Sequence, residues 1–450
     1  MLPDNTINFI HKLNWADLPE AVQQQARRCL LDSLGAAIGA HATDLRGIVH
    51  DFAAACYGGA GARLWLDGRP VSPPGAALAN GMTTDALDIH DGHSLTKGHA
   101  GAAIVPALLA TLSLGPGGAV PGAELLTSLV VGYEIALRAG LALHATACDY
   151  HTSGAWNALG CAALTARRLR LNAAQTEHAL GIAEYHGPRS QMMRCIEFPT
   201  MVKDGSGWGA MAGVSAGLLA AAGFTGAPAV SVSGPEVRSL WDDLGRQWHI
   251  LGQYFKPHAV CRWAQPAVEG ALALQQRYGL SPADIERIRL TTFHEAACLA
   301  VARPATTEEA QYSLPFPVAA ALVHGRLGPA ALSGSGLRDE AVLGLAQRVE
   351  LVEDPALSAR FPRERLAHIE IFSRAGRRLE LREAGPRWEA ADPPSDAELS
   401  AKFQWLASSI LPAARAQALE QMIWDSPALP DAFVLAERLA DPPDQSRLSR

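Results

Sequence analysis

Apolar positions along the first 270 residues recur at helical spacing and are interrupted by short polar breaks. From 15 to 40, Leu18, Val22, Ala26, Cys29, Leu30 and Leu31 mark one helix face, and Gly35 and Gly39 predict a second half pressed against close neighbours. Further helices are predicted over 44–57, 73–86, 102–114, 121–147, 154–169, 173–185 and 209–222, rich in Ala, Leu and Gly. Such small residues let helices approach closely, which suits an all-helical body. Residues 62–71 alternate briefly around Asp67-Gly68 and predict a small extended excursion. Asn172, with Gln175 three residues on, predicts a capping box.

The pattern changes after Gly279. Segments 285–293 and 369–381 alternate as strands do, with helices from Pro315 and across 336–351 between them. The fold class read from this is mainly α with an α+β second domain. Residues 1–270 form the helical domain, 271–394 the α+β lid domain, and 395–450 return to complete the helical one. Ser395 and Glu398 predict the capping box that restarts the helices, at 398–408 and 412–423, and a Pro/Asp-rich tail follows Leu439.

Composition narrows the class. With 450 residues, 48% of them hydrophobic, the chain has ample material for two cores. A net charge of −7 argues against a nucleic-acid partner, which calls for a basic face. The seven cysteines form no CxxC pair and predict reduced thiols in a cytoplasmic protein. The N-terminus lacks a signal-peptide pattern, and no run of about 18 uninterrupted apolar residues predicts a membrane span.

The polar breaks carry the candidate chemistry. From 87 to 101, Asp88, His90, Asp91, His93, Lys97 and His99 crowd between two apolar segments, where burial without partners costs several kcal/mol each. Gly92 and Gly98 predict a bent loop whose backbone approaches a ligand. His90 and His93, with Asp91 and His99, also fit a metal-ligand spacing and a metal-dependent hydrolase. His151 lies just before a helix start, which holds imidazole neutral and attracts anions. Lys203 precedes Asp204-Gly205-Ser206-Gly207, and Lys256 and Arg262 are flanked by apolar residues, as cations that hold carboxylates are. No GxGxxG or Walker pattern accompanies them, so nucleotide binding is disfavoured. Cations plus His, Asp and Lys suffice to move a proton next to a carboxylate, and no cofactor is invoked.

The order of motifs resembles the MmgE/PrpD family over nearly the whole chain: Leu-Asp-x-x-Asp-Gly-His…Gly-His (87–99), Gly-Tyr-Glu (132–134), Tyr-His-Thr-Ser-Gly (150–154), Ala-Leu-Gly-Ile-Ala (179–183), Met-Val-Lys-Asp-Gly (201–205), Gly-Phe-Thr-Gly (223–226), Lys-Pro-x-x-x-Cys-Arg (256–262) and Tyr-Ser-Leu-Pro-Phe (312–316). The resemblance implies a helical domain built from both chain ends, an α+β lid, a homodimer and cofactor-independent chemistry on a small di- or tricarboxylate. Matching positions imply catalytic roles for Asp88, His99, His151 and Lys203, with Asp91 and Arg262 close by; His93, Lys256 and Gln265 are expected to join these two in contacting the substrate. Gln265 stands where family members often have a histidine, and it cannot titrate. Asp-Ile-His-Asp (88–91) likewise departs from the Asp-Trp-Asp-Asp type of the methylcitrate dehydratases.

A lyase, foremost a hydro-lyase, is the reading these residues favour. Decarboxylation or epimerisation at the same site, metal-dependent hydrolysis and a non-catalytic binding protein are the competing readings. Within the 87–101 stretch, Asp88 and His99 are expected to face the substrate, with His90 and Lys97 as ordinary loop residues.

Overall fold

Small residues decide how the helices meet in the computed structural model, which describes residues 2–443. Helix Ser206–Ala221 turns Gly209 and Gly213 towards helix Gly154–Leu169. A methyl group at Gly213 would stand 2.4 Å from the Ala158 carbonyl oxygen, so only glycine permits this spacing. Helices Pro73–Asp85, Gly101–Ala110, Gly122–Thr146 and Ala173–His186 complete the layer around this pair.

The predicted 15–40 helix divides at Pro19 into a 3₁₀ turn, Trp15–Asp17, and a helix, Glu20–Gly39. The helix expected from 209 starts at Ser206, because Gly205 takes the left-handed conformation (φ 65°) and caps it. Several helices escaped the pattern reading, among them Asp4–Lys12, Gln265–Tyr278 and Phe433–Ala440. The last of these ends at Ala440, where the expected tail begins, and tail residues 444–450 lie outside the described ones. Both capping boxes form, at Asn172–Gln175 and Ser395–Glu398.

Two short ribbons interrupt the helical body. Strand β1 (Ala62–Arg63) pairs with β2 (Pro70–Val71), and β3 (Gly92–His93) pairs antiparallel with β4 (Gln253–Tyr254). The lid region carries β5 (Ile285–Thr292), β6 (Val349–Glu353), β7 (Ala367–Ser373) and β8 (Arg378–Ala384), in the order β6-β5-β7-β8. The β5–β6 pair is parallel and the other two are antiparallel. The single strand expected over 369–381 is therefore a hairpin, turned at Gly376, whose φ is 77°. Helix Gln265–Tyr278 packs on β7 and β8.

The chain's two ends meet beneath the polar loop. Helix Asp396–Ser408 packs on Glu20–Gly39, and its buried Lys402 donates to Asp32 at 2.5 Å and to the Ile89 carbonyl at 2.6 Å. One hydrophobic core fills the helical body. The second is shared, joining lid residues such as Ile288, Phe316 and Ile371 to Leu87 and Ile89 of the loop. Helix Gly122–Thr146 is long and apolar enough to cross a membrane, yet it is almost wholly buried and carries the Glu134–Arg138 pair at 3.5 Å.

Candidate active site

Asp88 sits between Leu87 and Ile89, both sealed in the shared core, so the loop is pinned on either side of a charged residue. The β3–β4 register, Gly92 opposite Tyr254, brings Tyr254 and Lys256 alongside. Lys256 Nζ donates to Asp88 Oδ1, forming a buried ion pair. Burial pushes the Asp88 carboxyl up, but Lys256, then His99 and Lys203, outweigh it and hold it well below the usual carboxylate range. Asp88, Lys97 and Lys203 all have positive φ, 49°, 52° and 47°. Such backbone costs on the order of 1–3 kcal/mol per residue, and here it collects around one site.

His99 is held on three sides. Its backbone N–H donates to Ser153 Oγ at 2.9 Å, its carbonyl accepts from Asn157 Nδ2 at 2.8 Å, and its Nδ1 donates to the Asp91 carbonyl at 2.6 Å. That last bond fixes the tautomer and leaves Nε2 with a free lone pair, 3.8 Å from Asp88 Oδ1. Burial, then Lys256 and His90, push the imidazole pKa down to about 3, so it is neutral at pH 7. Ser153 Oγ in turn donates to the buried Asp204 carboxylate, whose pKa is pushed up by burial first and then by Asp85. The glycines shape the loop as expected: a Cβ at Gly92 would lie 2.5 Å from the Tyr254 ring, and one at Gly98 2.3 Å from Ser153 Oγ.

These groups line a cavity of about 40 Å³ between body and lid, walled by Asp88, Lys97, His99, Tyr150, Tyr254, Arg262, Tyr312 and Arg365, with Met192, Ile196, Cys261 and Trp263 as its less polar part. Lys97, expected to be ordinary, is on that wall, its ammonium 5.2 Å from the centre of the Tyr150 ring. Arg262 stacks at 3.9 Å on the Tyr254 ring and pairs with Glu389. Lys203 and Lys256 stand behind the wall. Lys203 donates to Gln311 and lies 5.4 Å from the centre of the Tyr312 ring.

Other residues singled out by the sequence are placed elsewhere. His151 is buried beside the cavity residue Tyr150, but its Nδ1 donates to the Asp149 carbonyl at 2.9 Å and it does not line the wall. Asp91 accepts from Tyr133 Oη at 2.9 Å, and burial, then Asp32, push its pKa up to about 6. His93 Nδ1 accepts from the Thr96 N–H at 3.3 Å, with the ring edge-on to His249. The Gln265 amide donates to the carbonyls of His258 and Val260, both at 2.9 Å, which braces the Lys256–Arg262 segment from within. None of these three faces the cavity.

The metal reading is corrected by the same geometry. His90 turns to Asp85 at 3.1 Å while His93 and His99 point to separate partners. Among the described residues no three His, Cys, Asp or Glu side chains converge as a metal site would require. The sequence reading missed Arg365, Tyr254 and Tyr312. Tyr312 lies within the Tyr-Ser-Leu-Pro-Phe motif, a signal that was present, whereas Arg365 sits in the charged run Arg363-Glu364-Arg365, which looks like solvated surface.

Residues 5–236 match the family model described as the MmgE/PrpD N-terminal domain, and 258–426 match the MmgE/PrpD C-terminal domain. The chain is 25% identical to the cis-aconitate decarboxylase-like protein oryM of Aspergillus oryzae, over 92% of each chain. It is 24% identical to a cis-aconitate decarboxylase of Aspergillus terreus, over 95% of this chain and 93% of that one. Identity to the cis-aconitate decarboxylase of Mus musculus is 25%, over 100% of this chain and 96% of the other.

Proposed function

Since the chain belongs to the MmgE/PrpD family, we propose that it is a lyase that decarboxylates a small unsaturated di- or tricarboxylate, using its own side chains for the chemistry. The observation that carries this reading is the meeting, in the lining of one cavity, of Lys97 and Arg262 with a neutral His99 set beside Asp88. The cations hold carboxylates that stay on the substrate. The stretch made by Met192, Ile196 and Trp263 offers a third carboxylate few polar partners, and a desolvated carboxylate is the one most readily lost as carbon dioxide.

For a substrate such as cis-aconitate, the bond from the methylene carbon to its carboxylate breaks and CO₂ leaves. The electron pair forms a new alkene, the old alkene shifts its pair to the far carbon, and that carbon takes one proton. His99 Nε2 is the group placed to deliver it. Substrate negative charge opposes the burial that otherwise keeps this imidazole neutral, so the proton is taken up along with the anion.

A hydro-lyase is the second reading, favoured by the free Nε2 lone pair, which suits removal of a proton next to a carboxylate. Epimerisation asks for bases on opposite faces of one carbon, and the 3.8 Å between Asp88 and His99 leaves no room for a carbon between them. The test is carbon dioxide release from cis-aconitate by the purified protein and by His99→Asn. We expect turnover by the first and a loss of about 10²–10⁴-fold in the second. Equal release by both contradicts the role of His99, and no release by either contradicts the decarboxylase reading.

A further inference from the structure

Arg365 is a buried cation without an anion. It is 7% exposed, its one hydrogen bond is Nη1 to the Pro362 carbonyl at 3.1 Å, and among the described residues no carboxylate pairs with it. Its Nε has no partner, and Nε and Nη1 of Arg262, itself 5% exposed, have none either. Both guanidinium groups line the same cavity, and they are close enough for Arg365 to oppose the charge of Arg262. Glu389 serves Arg262 alone.

The surroundings hold these side chains rather than neutralise them. Arg262 lies flat on Tyr254. Arg365 lies 5.7 Å from the centre of the Phe361 ring, which stacks on Phe293 at 4.6 Å and meets Trp263 edge-on at 5.8 Å. Leaving a buried charge unpaired costs several kcal/mol, and two like charges side by side add repulsion. Two guanidinium groups in the lining of one small space, each with N–H groups that no protein acceptor satisfies, are suited to a planar, bidentate anion.

Resting on the polycarboxylate reading above, we infer that Arg365 and Arg262 together form the subsite for a retained carboxylate of the substrate, with Arg365 determining specificity from the lid side. Arg365 comes from the segment between helix Pro355–Arg360 and β7, whereas His99 comes from the helical body. The substrate is thus read from the lid and transformed from the body. Removing the Arg365 cation relieves an unpaired charge in the free protein and at the same time deprives the ligand of its partner.

The experiment measures binding of tricarballylate, a saturated tricarboxylate with no group to lose, by calorimetry, together with the thermal midpoint of the unliganded protein. For Arg365→Met we expect affinity weakened about tenfold or more, the loss of one charge-assisted fork, with a midpoint unchanged or raised. A purely structural role for Arg365 requires the opposite pair, a lowered midpoint and unchanged affinity, and that result overturns the inference. Should Arg365→Met not fold, Arg365→Lys keeps the charge and loses the fork; severalfold weaker binding supports the subsite and equal binding overturns it. If the wild-type protein binds neither tricarballylate nor citrate, the polycarboxylate reading falls, and inorganic phosphate becomes the probe. Phosphate bound by the wild type and lost in Arg365→Met keeps the anion subsite, while phosphate bound by neither overturns it as well.

Discussion

His99 accepts a proton only at Nε2, because Nδ1–H is committed to the Asp91 carbonyl, and burial keeps that acceptor unprotonated well below the ordinary histidine range. The consequence is a pH dependence of unusual shape. Because kcat/KM reports groups of the free enzyme, a His99 acid whose pKa is depressed from 6.5 to about 3 must gain its proton on binding, so its limb is a fall of kcat/KM with rising pH that sets in well below 6.5. A limb centred near 6.5 that vanishes in His99→Asn would contradict this. Stability follows from the same shift. A histidine whose folded pKa is depressed contributes fully above the unfolded value and loses its contribution as pH falls from 6.5 towards about 3, since the unfolded chain binds the proton first. His93, also pushed down to about 3 by burial and then His249, adds to this loss. A His93→Gln variant should therefore lose less stability to acid in denaturant titrations across that window than the wild type does.

At the scale of elements, the β3–β4 ribbon is what turns scattered motifs into a site, since it joins residues 92–93 to 253–254 and places Lys256 on Asp88. Gly92 is its tightest point. Gly92→Ala forces a methyl against the Tyr254 ring and within 2.8 Å of His99 Nδ1, so we expect a loss of turnover of at least about tenfold, against an overpacking cost of about 1–3 kcal/mol; full activity in this variant would contradict the tight packing. Legibility in the sequence follows the same division. Features set by near neighbours were readable: the two capping boxes, the helix over Gly154–Leu169, the bent loop at Gly92 and Gly98, and the improbable density of charge at 88–99. Contacts made across the fold were not. Asp91, His93 and Gln265 look like ligands in sequence because they are polar among apolar neighbours, yet their partners are Tyr133, Thr96 and backbone carbonyls. Lys97 and Arg365 look like surface, and only the seam between body and lid turns them inward.

For the molecule as a whole, the cavity stands where a private core and a shared core meet, and at about 40 Å³ it is far below the roughly 300 Å³ at which ligand pockets begin. For substrate to enter, we expect the lid to move off the body, across contacts such as Lys203–Gln311 and the Gln311 Nε2 bond to the Ala86 carbonyl at 3.0 Å. Hydrogen exchange at 311–314 and 365–367 should slow when a polycarboxylate binds, and exchange unchanged at saturation would contradict lid movement. The central claim, a lyase working on carboxylates with His99 as its proton carrier, is tested most directly by following ¹³C-labelled cis-aconitate with the purified protein in deuterated water by NMR. Labelled carbon dioxide and a methylene dicarboxylate carrying one deuterium on the carbon protonated in the reaction are expected, both lost in His99→Asn. Cis-aconitate, citrate and 2-methylcitrate all left unchanged and undeuterated by the wild-type protein would contradict it.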